Sequence, residues 1–207
     1  MRSTQSRMQG QRVVLATGNP GKLRQFSELL GSTGLALLRQ SDFGIEPPPE
    51  TGSTFLENSL IKARNAARLS SLPAIADDSG LEVDALGGRP GLYSARYAGA
   101  DASDEANLRK MLDELRGVTA LRRTARYRSV IVFVSGPDDS APVVGEGVWE
   151  GSIAEAPRGN GGFGYDPIFI PHGQTQTAAQ MPAELRNELC HRGQASRSFL
   201  AQLRPRA

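Results

Sequence analysis

The stretch RVVLAT, residues 12–17, is an unbroken apolar run that stops at GNPG, and KLRQFSELL follows with its apolar residues at helical spacing. A short continuous run closed by a glycine turn reads as a buried strand. Leu23, Phe26, Leu29 and Leu30 fall on one face of the segment after it, which reads as an amphipathic helix ended by Gly31 and Gly34. A strand that feeds directly into a helix limits the chain to sheet-and-helix layers.

The rest of the chain extends that pattern. EPPPETG reads as a stiff extended loop, because each proline fixes φ and biases its predecessor away from helix. A helix begins at STFLE, where Thr54 and Glu57 have capping-box spacing and Leu56, Leu60, Ala63 and Ala67 form the apolar stripe. PAIA and LEVDAL read as two short strands on either side of Asp77 and Asp78, which open a Ser-Gly turn. DASDEANLRKMLDEL reads as a helix with Leu108, Met111, Leu112 and Leu115 inward and a Glu105–Arg109 pair outward. ARYRSVIVFVSG and PVVGEGVWEGSI carry strand residues around a Gly-Pro-Asp-Asp turn, so a hairpin is expected. GNGGFGYDPIFIP is a glycine-rich loop entering a strand, and one C-terminal helix is expected from about Pro182, with Leu185, Leu189, Phe199 and Leu203 inward. Early strand–helix alternation followed by a hairpin predicts an α/β fold, a mixed sheet with helices on its faces.

Bulk properties narrow the function. The chain has 207 residues and a net charge of +2, which gives no electrostatic case for nucleic acid or a membrane surface. No apolar stretch approaches the roughly 18 residues of a membrane span. A single cysteine, Cys190, excludes a disulfide framework and a cysteine-based zinc site, and a reducing, cytoplasmic location is expected. Residues 1–10, MRSTQSRMQG, lack an apolar signal-peptide core and read as a disordered lead-in. Lysine is scarce, with Lys22, Lys62 and Lys110 against 21 arginines, so each lysine is a candidate for a specific role.

Several groups of residues could carry chemistry. TGNPGK sits between a strand and a helix, where backbone N–H groups and Lys22 suit an anion. It is not a Walker A loop, since Ala16 stands in place of the first glycine and Leu23 follows the lysine. An ordinary glycine turn explains it equally well. Lys62 shares a helix face with Asn58, either as a solvated face or as part of a site. Asp77 and Asp78 repel each other unless a metal or a basic side chain neutralises them. A hard cation such as Mg²⁺ favours carboxylates and leaves positions for water and phosphate oxygens, and a carboxylate can also take a proton from attacking water. Adjacent strand residues point to opposite sides, so one aspartate is expected to face the site squarely. An Asx turn into Ser79 and Gly80 is the structural alternative. Glu50 is a second candidate metal ligand. Phe163 or Tyr165 could stack on a base. Arg192 falls among inward helix turns, where a charge needs a ligand or a buried acid.

TGNPGK, ETGSTFLENSLIKA, AIADDSGLEVDALGGRPGLYSARYAG, GGFGYDPIF and HRGQA together resemble, in order and spacing, the inosine/xanthosine triphosphate pyrophosphatase family. The resemblance runs from about Arg12 to Leu203. It implies a pyrophosphatase domain over residues 11–207, with an elongated twisted mixed sheet, two lobes, a central substrate cleft and a homodimer. It implies Mg²⁺-dependent hydrolysis of non-standard purine nucleoside triphosphates such as ITP, dITP and XTP to monophosphate and pyrophosphate, which cleanses the nucleotide pool. By position, the triphosphate falls to Thr17, Gly18, Asn19, Pro20, Gly21, Lys22 and Lys62. Glu50 and Asp78 fall on metal positions, Asp78 also on the catalytic acid/base position, and Ser79 on a substrate contact. Phe163, Gly164, Tyr165, Asp166, His191 and Arg192 fall on the nucleoside pocket. Arg186, also assigned to substrate, stands five residues before the His-Arg pair where close relatives carry lysine. A planar guanidinium fork there replaces a point donor.

Three other readings fit parts of the pattern. A pyrophosphatase for modified pyrimidine nucleotides would share the phosphate chemistry. A non-enzymatic nucleotide or RNA binder would not need paired aspartates. A phospho-acceptor domain also clusters aspartates, but no Asp-x-Asp-x-Thr follows a strand in this chain.

Overall fold

A computed structural model describes residues 10–203, so the expected lead-in lies outside the described residues except for Gly10. Six strands form one sheet in the order β2-β1-β3-β4-β5-β6: β1 Arg12–Leu15, β2 Ala36–Arg39, β3 Ala74–Val83, β4 Thr124–Val134, β5 Val143–Ile153 and β6 Phe169–Pro171. β1 pairs parallel with both β2 and β3, whereas β5 and β6 pair antiparallel, so the sheet is mixed. The helices are α1 Pro20–Leu30, α2 Phe55–Ser70, α3 Asp104–Glu114, α4 Ala183–Leu189 and α5 His191–Leu203.

The chain divides into two compact units. Of the described residues, unit 1 holds 10–78, 129–147 and 192–203; unit 2 holds 79–128 and 148–191. The chain crosses from one unit to the other four times, between Asp78 and Ser79, Arg128 and Ser129, Gly147 and Val148, and His191 and Arg192. Unit 1 has two apolar clusters. Val14, Ala74, Ala76, Val130 and Val132 pack with Ala63, Ala66 and Ala67 of α2. Val13, Leu15, Ile75 and Ile131 pack with Phe26 and Leu30 of α1 and Phe199 of α5. Alternating side chains of β1, β3 and β4 thus feed two different clusters, as the period of a strand requires. Unit 2 has its own core, where Leu81, Val83, Tyr127, Trp149 and Phe169 pack against Leu108, Met111 and Leu115 of the α3 region.

Two expectations are corrected. Residues 74–83 are one ten-residue strand, not two short strands around a turn. Asp77 and Asp78 therefore lie inside β3, and their side chains are held by partners that let the ladder continue through a like-charge pair. The C-terminal helix is two helices, because Cys190 is extended at ψ 163° and ends α4 before α5 begins. Leu185 accordingly faces solvent at 41% exposure, while Phe199 is fully buried; the Leu203 side chain lies outside the described structure.

Candidate active site

The turn after β1 is organised by Asn19, the N-cap of α1. Its Oδ1 accepts from the N–H groups of Gly21 at 2.8 Å and Lys22 at 3.1 Å. Asn19 N–H itself donates to Thr17 Oγ1 at 3.2 Å. These backbone donors, expected to cradle an anion, are thus satisfied within the turn, as an ordinary helix cap would leave them. Gly18, Asn19 and Pro20 are exposed, and Pro20 opens the helix. What the turn offers a ligand is the rim from half-buried Thr17 to exposed Pro20 and the side chain of Lys22.

Lys22 reaches a buried carboxylate. Its Nζ lies 2.5 Å from Asp77 Oδ2, and Ser129 Oγ of β4 donates to Asp77 Oδ1 at 2.5 Å. Arg192 Nε is 3.6 Å from Asp77 Oδ2, and Arg192 Nη1 donates to Gln25 Oε1 of α1 at 3.2 Å. Burial alone would raise the Asp77 carboxyl. The Lys22 and Arg192 charges and the hydrogen bonds from Lys22 and Ser129 outweigh it and hold the group well below the usual carboxylate range. Burial pulls the Lys22 ammonium below its ordinary value, with Lys62 and Arg192 adding to that effect and Asp77 opposing it.

Asp78 faces another set of partners, all within unit 1. Its Oδ1 accepts from Lys62 Nζ at 2.8 Å, and its Oδ2 from Asn58 Nδ2 at 3.3 Å. The same Lys62 Nζ donates to Glu50 Oε1 at 3.1 Å. One ammonium therefore sits between the two carboxylates assigned to a metal. Burial raises the Asp78 carboxyl, and the Lys62 charge offsets this only in part. Burial lowers Lys62, but attraction to Asp78, their hydrogen bond and Glu50 win, so its value is raised. Both members of the pair hold their protons more tightly than usual. Among the described residues, three cations, Lys22, Lys62 and Arg192, pair with three carboxylates, Asp77, Asp78 and Glu50.

Local structure explains these positions. Thr54 Oγ1 caps α2 by accepting from Glu57 N–H at 3.1 Å. The Glu57 carboxylate accepts from Ser53 N–H at 2.7 Å and Ser53 Oγ at 2.9 Å, one residue upstream of the expected reciprocal bond. Asn58 and Lys62, one turn apart on α2, are both buried, so their shared face is not a solvated one. Asn58 Oδ1 accepts from Gly52 N–H at 2.8 Å, which fixes the amide and turns its NH₂ group toward Asp78. A Cβ on Gly52 would sit 2.7 Å from both Asn58 Oδ1 and Glu57 Cβ, so only glycine permits this approach. Two carboxylates that converge on one cationic atom are a set that a hard divalent cation accepts, with its other positions left for oxygen from water or phosphate.

Unit 2 carries a second group. Phe163 is half-buried at the glycine loop, next to Gly164, whose N–H donates to Asp104 Oδ2 at 2.7 Å. Asp166 is buried and uses Oδ2 to accept from Phe163 N–H at 3.2 Å, which pins the loop carrying that ring. Gly162, at φ +74°, leaves room for the Asp166 carboxylate where a Cβ would overlap it. Arg186 Nε is 4.0 Å from Asp166 Oδ2, and Arg186 lies against Gly161. His191 is buried and stacks on Tyr127 at 4.5 Å and 5° between ring planes.

Tyr165 departs from the expected role. It is 4% exposed, packs in the unit 2 core and donates its hydroxyl to Ser94 O at 2.8 Å. Its ring serves the fold, which leaves Phe163 as the ring available for stacking. Arg192 departs too. It joins Asp77 and Gln25 in unit 1, whereas its neighbour His191 belongs to unit 2. Ser79 is half-buried at the first position of unit 2. Sequence reasoning missed Gln25, Ser129 and the link from Asn58 to Asp78. A serine inside the apolar run YRSVIVFV was the signal for Ser129.

The fold and the unit 1 cluster define an α/β protein with a buried lysine–carboxylate centre, suited by its chemistry to anionic ligands that carry a cation. The Ham1 family model matches residues 13–202, and the chain belongs to that family. It is 55% identical to the dITP/XTP pyrophosphatase of Thioalkalivibrio sulfidiphilus, over 94% of this chain and all of that one. It is 50% identical to the dITP/XTP pyrophosphatase of Escherichia coli K12, over 94% of this chain and 98% of that one. Among solved structures, a HAM1 protein from Coxiella burnetii superposes with a TM-score of 0.86 at 43% identity, covering 93% of this chain and 98% of that one.

Proposed function

We propose that this protein hydrolyses non-standard purine nucleoside triphosphates, among them dITP, ITP and XTP, to the monophosphate and pyrophosphate, and so clears them from the nucleotide pool. The names of relatives at 50–55% identity support this substrate class. The observation that carries the chemistry is the convergence of Glu50 and Asp78 on Lys62, beside Lys22.

In this reading the Thr17–Pro20 rim, Lys22 and Lys62 contact the triphosphate, Gly21 serves the helix cap that shapes the rim, and the two ammoniums neutralise charge that builds on the pyrophosphate leaving group. Glu50 and Asp78 would hold Mg²⁺, which would neutralise phosphate oxygens and polarise the phosphoryl group. Asp78 accepts the proton of the attacking water, a role its raised proton affinity favours. Asp77 keeps Lys22 and Arg192 in place and takes no proton, because its cationic partners hold it ionised. Ser79 contacts substrate at the residue after the base. Phe163 stacks on the purine, Asp166 and Gly164 hold the loop that presents it, and Tyr165 packs behind. Arg186 and His191 line the base, where a donor to the six-position carbonyl of hypoxanthine or xanthine leaves adenine mismatched. The protein works as a cytoplasmic homodimer, which sedimentation at working concentration checks. Pyrophosphate release from ITP, XTP, dITP, ATP, GTP and dUTP, each with and without Mg²⁺, tests the reading. Equal turnover of ITP and ATP would contradict it.

A further inference from the structure

We propose that Lys62 is a resident cation that occupies the divalent-metal position of the free protein, so that the metal binds well only when a polyphosphate draws this ammonium away. The inference rests on the assignment of Glu50 and Asp78 as metal ligands and adds an order of events that the assignment does not contain.

The geometry carries it. Lys62 Nζ lies 2.8 Å from Asp78 Oδ1 and 3.1 Å from Glu50 Oε1, which is the bridging place a shared cation would take. Its side chain is 10% exposed and that of Asp78 8%, so the contact is shielded from water and not loosely screened. Lys62 cannot move aside freely. It leaves a buried position in which, among the described residues, it donates to these two acids, and an unpaired buried ammonium is costly.

Charge balance argues the same way. Lys22, Lys62 and Arg192 already match Asp77, Asp78 and Glu50. A divalent ion entering alone adds positive charge beside carboxylates that are already paired, whereas phosphate oxygens entering with it offset that charge. When the two enter together, phosphate oxygens accept from Lys62 Nζ and the carboxylates are released to the metal. Thermodynamic linkage makes the effect reciprocal: whatever draws Lys62 off the carboxylates raises metal affinity by the same factor by which metal raises affinity for that ligand. Lys62 thereby couples metal to nucleotide, beyond its contact with phosphate.

The test is Mn²⁺ binding to the nucleotide-free protein, followed by the electron paramagnetic resonance of the free ion. Wild type is compared with Lys62→Met and with Lys62→Gln, which retains an amide donor for the two acids should the methionine variant unfold. Circular dichroism melts establish that each variant is folded. The expected result is weak binding by wild type and about 5- to 150-fold tighter binding by the variants, the usual span of coupled sites. That gain is expected to vanish in Glu50→Gln/Lys62→Met. Equal Mn²⁺ affinity in wild type and both Lys62 variants overturns the placeholder role while leaving the ligand assignment standing. No Mn²⁺ binding by any of them, or a gain that survives Glu50→Gln, overturns the ligand assignment and the inference with it.

Discussion

Asp77 and Asp78 are neighbours in sequence with opposite electrostatic fates. Strand alternation sends one to Lys22, Ser129 and Arg192 and the other to Lys62 and Asn58. Asp77→Asn leaves half-buried Lys22 and buried Arg192 short of their counter-charge. It is expected to lower unfolding free energy by about 3–5 kcal/mol in urea titrations at neutral pH. The sign with pH follows from the depressed carboxyl: its contribution is present above the ordinary value of about 3.9 and is lost as pH falls below it, so the variant's acid-side stability slope flattens. Asp78→Asn is expected to keep the fold and reduce pyrophosphate release about 10²- to 10⁴-fold. Because burial raises Asp78, the acid limb of kcat/KM is expected above about 3.9; a limb at or below that value would remove Asp78 as the base. Phe163→Ala is expected to raise KM with a loss of about 1–3 kcal/mol in kcat/KM, whereas loss of Tyr165 shows first in the melting temperature.

The elements show why some features were legible and others were not. β1 and α1 were readable because a continuous apolar run, a glycine turn and helical spacing all agree. The continuity of β3 was hidden, since two aspartates, a serine and a glycine in succession read locally as a turn. Pairing of β3 with β1 and β4, both distant in sequence from this stretch, makes a strand of them, and Lys22, Ser129 and Arg192 supply partners for the buried Asp77. The break at Cys190 was hidden for the reverse reason: residues 183–203 carry no internal proline, and the chain is helical on both sides. The buried charge of Arg192 was legible as a charge in need of an acid, but which acid depended on where α5 docks. The start of α2 has its own test. Gly52→Ala forces a Cβ to within 2.7 Å of Asn58 Oδ1. It is expected to lower kcat/KM through the lost Asn58–Asp78 bond, and unchanged kinetics would show that Asn58 does not position the carboxylate.

At the scale of the molecule, the mixed sheet was legible in early strand–helix alternation followed by a hairpin, and the family in five separated motifs, while the distribution of the assigned residues over two units was not. Unit 1 gathers the lysines and carboxylates; unit 2 holds Phe163, Asp166, Arg186 and His191. Local sequence carries no mark of the crossings after Asp78 and His191, because those boundaries are set by which core each side chain enters. The most direct test of the account is pyrophosphate release by wild type and Asp78→Asn, with dITP, XTP, ITP, ATP and GTP, each with and without Mg²⁺. The expected result is Mg²⁺-dependent release of pyrophosphate and monophosphate from dITP, XTP and ITP, little from ATP or GTP, and release about 10²- to 10⁴-fold slower from the variant. Orthophosphate as the product, equal turnover of ATP, or full activity in Asp78→Asn would contradict the account.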